Sequence, residues 1–196
     1  MTTAMTQDDV LDEFRASGAL LEGHFKLSSG RHSGHYLQCA RVLMNPHRAA
    51  RLAKALAAKI PADIRESLDA VISPAMGGII IGQEMGRALS LDAMFLERPE
   101  GTFHLRRGFG LEPGAKVLMV EDVVTTGLSS REAIEAVGRE GGEVLAEVAL
   151  VDRSSGTADL GVPFFPLIDI DFPTYAEDEV PADLAEIPIT KPGSRK

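Results

Sequence analysis

Residues 117–151 decide what this chain can fold into. Val117 to Val120 is a nearly all-apolar run of strand length, and Ala133, Ile134 and Val137 then recur at helical spacing. Gly141-Gly142 stops that helix, and Val144 to Val151 is a second apolar run interrupted only by Glu147. Strand, helix and strand in this order imply parallel pairing through a right-handed crossover. The pattern also occurs upstream: a short strand at Ala70 to Ile72, a loop at Ser73 to Gly78, a helix at Ile79 to Leu89 and a strand at Ala93 to Glu97. Pro163 and Pro166 lack the N–H a central strand needs, so 162–170 is expected as a last strand near the sheet edge. The fold class is α/β.

The amino-terminal third reads differently. Thr6 to Leu21 is predicted as a helix, capped by Thr6, with Asp8 and Asp9 in its first turn and Val10, Leu11, Phe14 and Leu20 on one face. Residues 22–44 mix Gly, Ser and basic side chains with short alternating stretches, which predicts two short strands around a Ser29-Gly30 turn. Asn45-Pro46 opens a helix that Pro61 ends, and 63–69 is a connector or a short helical turn. Residues 98–115 carry four glycines, three arginines and no hydrophobic period, and are expected as a mobile loop with hairpin character. The expected domain spans 1–185, with a weakly ordered tail over 186–196.

Composition narrows the function. The chain has 196 residues and a formal charge of −9, which suits one domain and argues against broad binding to nucleic acid backbones. A local basic cleft for a small polyanion is compatible with that charge. Cys39 is the single cysteine, so intrachain disulfides, thiolate zinc clusters and cysteine-held iron–sulfur centres are excluded. His24, His32, His35, His47 and His104 show no metal-ligand spacing. No apolar stretch reaches membrane-spanning length and no signal peptide is visible, so the expectation is a cytoplasmic protein without a membrane partner.

The chemistry concentrates after the 117–120 strand. Glu121 to Gly127 is expected as a turn, followed by a helix whose start Ser129 and Glu132 would close as a capping box. Open α/β sheets bind ligands at this edge. Free N–H groups at the helix start, with the hydroxyls of Thr125, Thr126 and Ser129, suit a phosphate, while Glu121 and Asp122 suit sugar hydroxyls. The combination suggests a ribose 5-phosphate site; a strand followed by a capped helix accounts for the same residues without a ligand. Ser73 to Gly78 is a second such loop, where Gly77 and Gly78 would let amides face an anion and the Met76 side chain is expected to pack. Arg98, His104, Arg106 and Arg107 form either a solvated charged surface or a lid over a polyphosphate.

The segment 117–129 resembles the phosphoribosyl pyrophosphate motif of the type I phosphoribosyltransferases: four apolar residues, two acids, two apolars, Thr-Thr-Gly, any residue and Ser. "FKLSSGRHSGHYLQC" at 25–39, "SPAMGG" at 73–78, "LRRGF" at 105–109 and "ALVDRSSG" at 149–156 together resemble the orotate phosphoribosyltransferases, over about residues 8–175. The resemblance implies a five-stranded, mainly parallel sheet flanked by helices, with a small N-terminal hood to which 22–44 contribute. It implies transfer of ribose 5-phosphate from phosphoribosyl pyrophosphate to orotate, with Mg²⁺ as cofactor, in a homodimer whose basic loop serves the neighbouring subunit. Phosphoribosyl pyrophosphate would lie on Ala75, Met76, Gly77 and Gly78, and on Glu121, Asp122, Val123, Val124, Thr125, Thr126, Gly127, Leu128 and Ser129. Orotate would meet Ser28, Ser29, Gly30, Arg31, Tyr36, Thr125 and Arg153. Arg98, His104, Arg106 and Arg107 would be the catalytic loop residues; no residue is assigned directly to the metal. Some family members carry a lysine where this chain has Met76, and residues 99–105 lack the lysine usual in the mobile loop. A purine phosphoribosyltransferase and a non-catalytic phosphoribosyl pyrophosphate-binding regulator are the alternative readings.

Overall fold

The computed structural model describes residues 5–27 and 29–191. Helix α1, Gln7–Ala16, starts at Thr6, whose hydroxyl accepts from the Asp9 N–H while the Asp9 carboxylate accepts from the Thr6 N–H. It ends earlier than its apolar pattern predicts. Gly18 takes φ +63°, a left-handed conformation open to glycine, and Leu20 begins strand β1, Leu20–Lys26, instead of closing the helix. A turn through Ser29-Gly30 returns the chain as β2, His32–Leu37, antiparallel to β1. Helix α2, Cys39–Leu43, then leads to α3, Pro46–Ala57, whose N-cap Asn45 accepts from the Arg48 N–H at 3.1 Å. The connector after Pro61 is a short helix, α4, Ala62–Glu66.

The parallel units follow. Strand β3 is Ala70–Pro74, α5 Gly78–Leu89 and β4 Asp92–Glu97. After a 3-10 turn at Pro99–Gly101 the chain doubles back as β5, His104–Leu105, so the expected hairpin character is present. Strand β6 is Lys116–Val124, α6 Leu128–Arg139, β7 Glu143–Asp152 and β8 Phe164–Asp169. The main sheet runs β5-β4-β3-β6-β7-β8, parallel throughout except for β5. The expected five-stranded, mainly parallel sheet has six strands: β4, β3, β6, β7 and β8 run parallel, and β5 adds an antiparallel one. Strand β8 lies at the edge, with Pro166 opposite Ala149, where a missing N–H is tolerated.

A second sheet, the hood, draws on both halves of the chain. Strand β9, Thr174–Tyr175, pairs with β2, and after the short α7, Ala182–Ala185, β10, Ile189–Thr190, pairs parallel with β1. The expected tail from Glu186 is therefore corrected: Ile189 and Thr190 are hood residues, and the buried His24 Nδ1 lies 3.2 Å from the Ile187 carbonyl oxygen.

Strand alternation sorts the core between the two faces of the main sheet. Leu118 and Val120 of β6 pack with α1, α2, α3 and α5 through Phe14, Val42, Leu52, Leu56, Ile81 and Met85. Val117 and Met119 face the other way, onto Ala133, Ala136 and Val137 of α6. Leu118 is fully buried in a central strand. Leu118→Ala is expected to lower unfolding free energy by about 2–5 kcal/mol, read from urea denaturation. A loss well under about 1 kcal/mol would contradict this packing.

Candidate active site

Three strand ends converge. Strand β6 does not stop at Val120, as its apolar run alone suggests; it stays paired with β7 through Glu121↔Ala149, Val123↔Val151 and Val124↔Asp152. Glu121 and Asp122 are thus strand residues, held rigidly by a ladder, and they point to opposite faces. Burial pushes the Glu121 carboxyl well above the usual range, reinforced by the charges of Asp122 and Glu147. Asp122 is also raised by burial, and the Val123 N–H donating to its Oδ1 at 3.0 Å offsets part of that. Neither acid has a basic partner among the described residues. The pair is suited to donors arriving with a ligand, such as vicinal hydroxyls.

The 75–78 loop leaves β3 and packs directly against this pair. A Cβ on Gly77 would lie 2.7 Å from both Asp122 carboxylate oxygens, and one on Gly78 would lie 2.9 Å from the Val120 carbonyl oxygen. Both glycines therefore bring backbone to the acids with no room to spare. The Ala75–Met76 peptide bond is cis. The expectation that the Met76 side chain packs is corrected: it is 84% exposed, projecting away from the core.

Beyond β6, Thr125 and Thr126 lead to Gly127, which takes φ +72° as the N-cap of α6. Gly127 offers no capping side chain, and the Thr126 hydroxyl accepts from the Leu128 N–H at 3.4 Å. The expected Ser129–Glu132 capping box is absent because Ser129 lies inside the first turn. The Ser129 and Ser130 N–H groups have no side-chain acceptor among the described residues, the arrangement that accepts an anion.

A cavity of about 640 Å³ joins this turn to the hood, lined by Ser29, Arg31, Tyr36, Thr125, Thr126 and Arg153 among others. Arg31 is fixed to Thr174, with Nε donating to Oγ1 at 2.9 Å and Nη2 donating to the carbonyl oxygen at 2.6 Å. Arg153, just past β7, is half-buried over the Phe172 ring, and its Nε is buried without a hydrogen-bond partner among the described residues. Burial lowers the Arg153 pKa from its very high ordinary value. Burial also raises the Tyr36 phenol, keeping it a neutral donor.

Of the residues expected to meet orotate, Ser29, Arg31, Tyr36, Thr125 and Arg153 share this cavity, Gly30 forms the hood turn at φ +82°, and Ser28 lies outside the described residues. The basic loop is placed elsewhere. Arg98 pairs with Glu132 and covers the Phe103 ring at 4.0 Å; Arg106, at 3.2 Å, and Arg107 both pair with Glu97; His104 is exposed on β5. None of the four lines the cavity. Ser154, Thr157 and Thr174 line it unforeseen. Ser154 follows Arg153 at a strand end and was open to the same reasoning, whereas Thr174 arrives through β9–β2 pairing, which no local pattern announces. A larger cavity, about 710 Å³, opens at the opposite, amino-terminal ends of β3 and β4 beside residues 108–115. It lies away from the sheet edge where α/β folds bind ligands.

A family profile described as the Phosphoribosyl transferase domain matches residues 42–171. The orotate phosphoribosyltransferase of Erythrobacter litoralis is 76% identical over 191 residues, covering 97% of this chain and 99% of that one. The chain belongs to the orotate phosphoribosyltransferase family. The family's Caulobacter vibrioides protein is 56% identical over 98% of both chains. The crystal structure of orotate phosphoribosyltransferase from Aeropyrum pernix superposes with a TM-score of 0.67 at 27% identity, over 82% of this chain and 93% of that one. An adenine phosphoribosyltransferase structure, at 16% identity and a TM-score of 0.62 over 80% of this chain and 99% of that one, shares the fold.

The glycine contacts give a direct check. Gly78→Ala forces a methyl against a main-chain oxygen and is expected to cost roughly 1–3 kcal/mol of stability. Gly110→Ala, in open space, should stay within about 0.5 kcal/mol. Equal urea midpoints for the two variants would refute the tight approach of the 75–78 loop to β6.

Proposed function

We propose that this chain transfers ribose 5-phosphate from phosphoribosyl pyrophosphate to orotate, giving orotidine 5′-monophosphate and pyrophosphate, a step of pyrimidine nucleotide biosynthesis. The observation that carries the reading is Arg153. A half-buried guanidinium with an unmet N–H shares one cavity with Thr125 and the hood, beside the acid pair. A planar cation with parallel donors suits a carboxylated base. Membership of the family and relatives 70–76% identical over nearly the whole chain support the same assignment.

In this reading Glu121 and Asp122 accept from the ribose hydroxyls, and Thr125 to Ser129 with the first turn of α6 hold the 5-phosphate. The 75–78 backbone faces the pyrophosphate. Orotate enters between Arg153, Tyr36 and the Ser29–Arg31 turn of the hood. Its ring nitrogen, having lost its proton to solvent, forms a bond to C1′ as the bond from C1′ to the pyrophosphate oxygen breaks, the electron pair leaving with pyrophosphate. No side chain has to act as a general base, so the protein's contribution is positioning and electrostatic stabilisation.

Among the described residues, no three His, Cys, Asp or Glu side chains gather to hold a metal ion. A site with two carboxylates and no cage fits Mg²⁺ carried mainly by the diphosphate oxygens. When bound, the ion neutralises charge building on the leaving group.

The basic loop supports a homodimer. Arg106 and Arg107 are exposed and do not reach the cavity of their own chain, as expected if they serve a neighbouring subunit. A polyanionic substrate and product, which a lipid bilayer does not admit unaided, are in keeping with a reaction in the cytoplasm.

Purified protein with phosphoribosyl pyrophosphate, Mg²⁺ and orotate should consume orotate absorbance and release pyrophosphate. Turnover of adenine or hypoxanthine with none of orotate would overturn the assignment. Arg153→Ala should raise KM for orotate about tenfold or more, beyond any change for phosphoribosyl pyrophosphate, since it removes a charge-assisted hydrogen bond. Asp122→Asn should weaken phosphoribosyl pyrophosphate instead; unchanged steady-state constants would remove Asp122 from the ribose site.

A further inference from the structure

Glu147 is the one charged residue in the apolar run of β7, and it is fully buried. Its main chain is spent on the sheet: Met119 and Phe164 are its register partners, and its N–H donates to the Pro163 carbonyl at 2.9 Å. Its side chain meets α6. The Ser130 hydroxyl, itself buried in the first turn of that helix, donates to Glu147 Oε1 at 2.6 Å. Oε2 is buried with no hydrogen-bond partner among the described residues. A carboxyl with one oxygen orphaned is a poor way to fill a core, and such a group calls for an explanation. The segment it touches supplies one: Ser130 directly follows Thr125 to Ser129, the turn that would hold the 5-phosphate.

We propose that Glu147 is a positioning residue for the sugar-phosphate site, fixing the first turn of α6 against β7 through Ser130. The inference rests on the activity proposed above. The first turn of α6 also hydrogen-bonds Glu121 of β6 through Ser129, so the Ser130–Glu147 bond adds a second tie, to β7. Two such ties fix the rotation of the turn and so set where its free N–H groups point.

The same contact makes the grip sensitive to protons. Burial raises the Glu147 carboxyl to about 7, although the Ser130 hydroxyl lowers it somewhat. Below that pH it is neutral; above it a negative charge appears behind the phosphate-binding turn. The groups facing it are few. From α6 there is the neutral Ser130, from β8 the apolar Phe164, and from β6 the ionisable Glu121, whose own carboxyl is raised in part by the charge on Glu147. Ionised Glu147 therefore opposes both the phosphate and the ionised form of the acid that accepts from the ribose. Affinity for phosphoribosyl pyrophosphate should fall as pH rises through about 7. Glutamine copies the neutral acid and should abolish the dependence.

Steady-state kinetics of wild type, Glu147→Gln, Glu147→Ala and Ser130→Ala between about pH 6 and about pH 9 test this. In the wild type, KM for phosphoribosyl pyrophosphate should climb about tenfold across the range, while Glu147→Gln stays flat within about twofold. At the acid end, Ser130→Ala and Glu147→Ala should raise that KM about tenfold, the effect of one lost buried hydrogen bond, leaving KM for orotate within about twofold. Superimposable profiles for wild type and Glu147→Gln, or equal changes for the two substrates in the alanine variants, would overturn the proposal. If Glu147→Ala does not fold, Glu147→Gln and Ser130→Ala decide the matter. If the wild type transfers nothing to orotate, the activity reading fails separately. Calorimetric titration with ribose 5-phosphate then makes the same comparison: weakening with pH in the wild type but not in Glu147→Gln supports the tie, and identical titrations refute it.

Discussion

Strand β6 lies between β3 and β7; its ladder with β3 ends at Met119, but the ladder with β7 runs on and keeps its last residues in the sheet. Because pairing with β7 persists to Val124, Glu121 and Asp122 are presented by a ladder and not by a flexible turn. The β3 loop can then close on them only through glycines, and α6 can begin only where Gly127 permits a left-handed step. Acid pair, backbone cradle and anion-accepting helix start all follow from one strand staying straight a few residues longer than its apolar run.

That arrangement is costly for the chain by itself. Among the described residues, two neighbouring carboxyls are buried without a basic partner, a third acid lies behind them with an orphaned oxygen, and a guanidinium is half-buried with an N–H unmet. Groups of this kind lower stability unless something else satisfies them. The site concentrates its unmet hydrogen-bonding capacity where a sugar phosphate and an anionic base would supply the missing partners. This is preorganisation in the physical sense: the reorganisation cost is met during folding and not at the moment of reaction.

Much of this was legible from residue order. The apolar runs at 70–72, 93–97, 117–120 and 144–151 gave the parallel sheet because strands covered on both faces leave a continuous hydrophobic signature. Thr6, Asn45 and Pro46 marked helix starts because capping is a local interaction. Where the reading failed, a long-range partner had overridden a local signal. Leu20 fitted a helical face yet joined β2 through Leu37; Ser129 fitted a capping box yet fell inside the helix once β6 ran on to Val124; Ile189 and Thr190 looked like a tail yet found β1. The charge of the arginines in the 98–107 loop is plain from residue order, but Glu97 and Glu132 compete for them within the same chain. Residue order alone does not show which acids lie within reach.

The hood carries one implication for how the molecule comes into being. Its β1 and β2 are made early, but β10, which flanks β1 on the other side, is made almost last. During synthesis the first hairpin must wait with an open edge, the feature most prone to pairing with a wrong neighbour. The roof of the cavity, including Arg31 and its anchor Thr174, is therefore completed only after every strand of the parallel sheet has been synthesised. A nascent chain has the 75–78 loop and the Gly127 turn in hand before the last strands of its hood emerge.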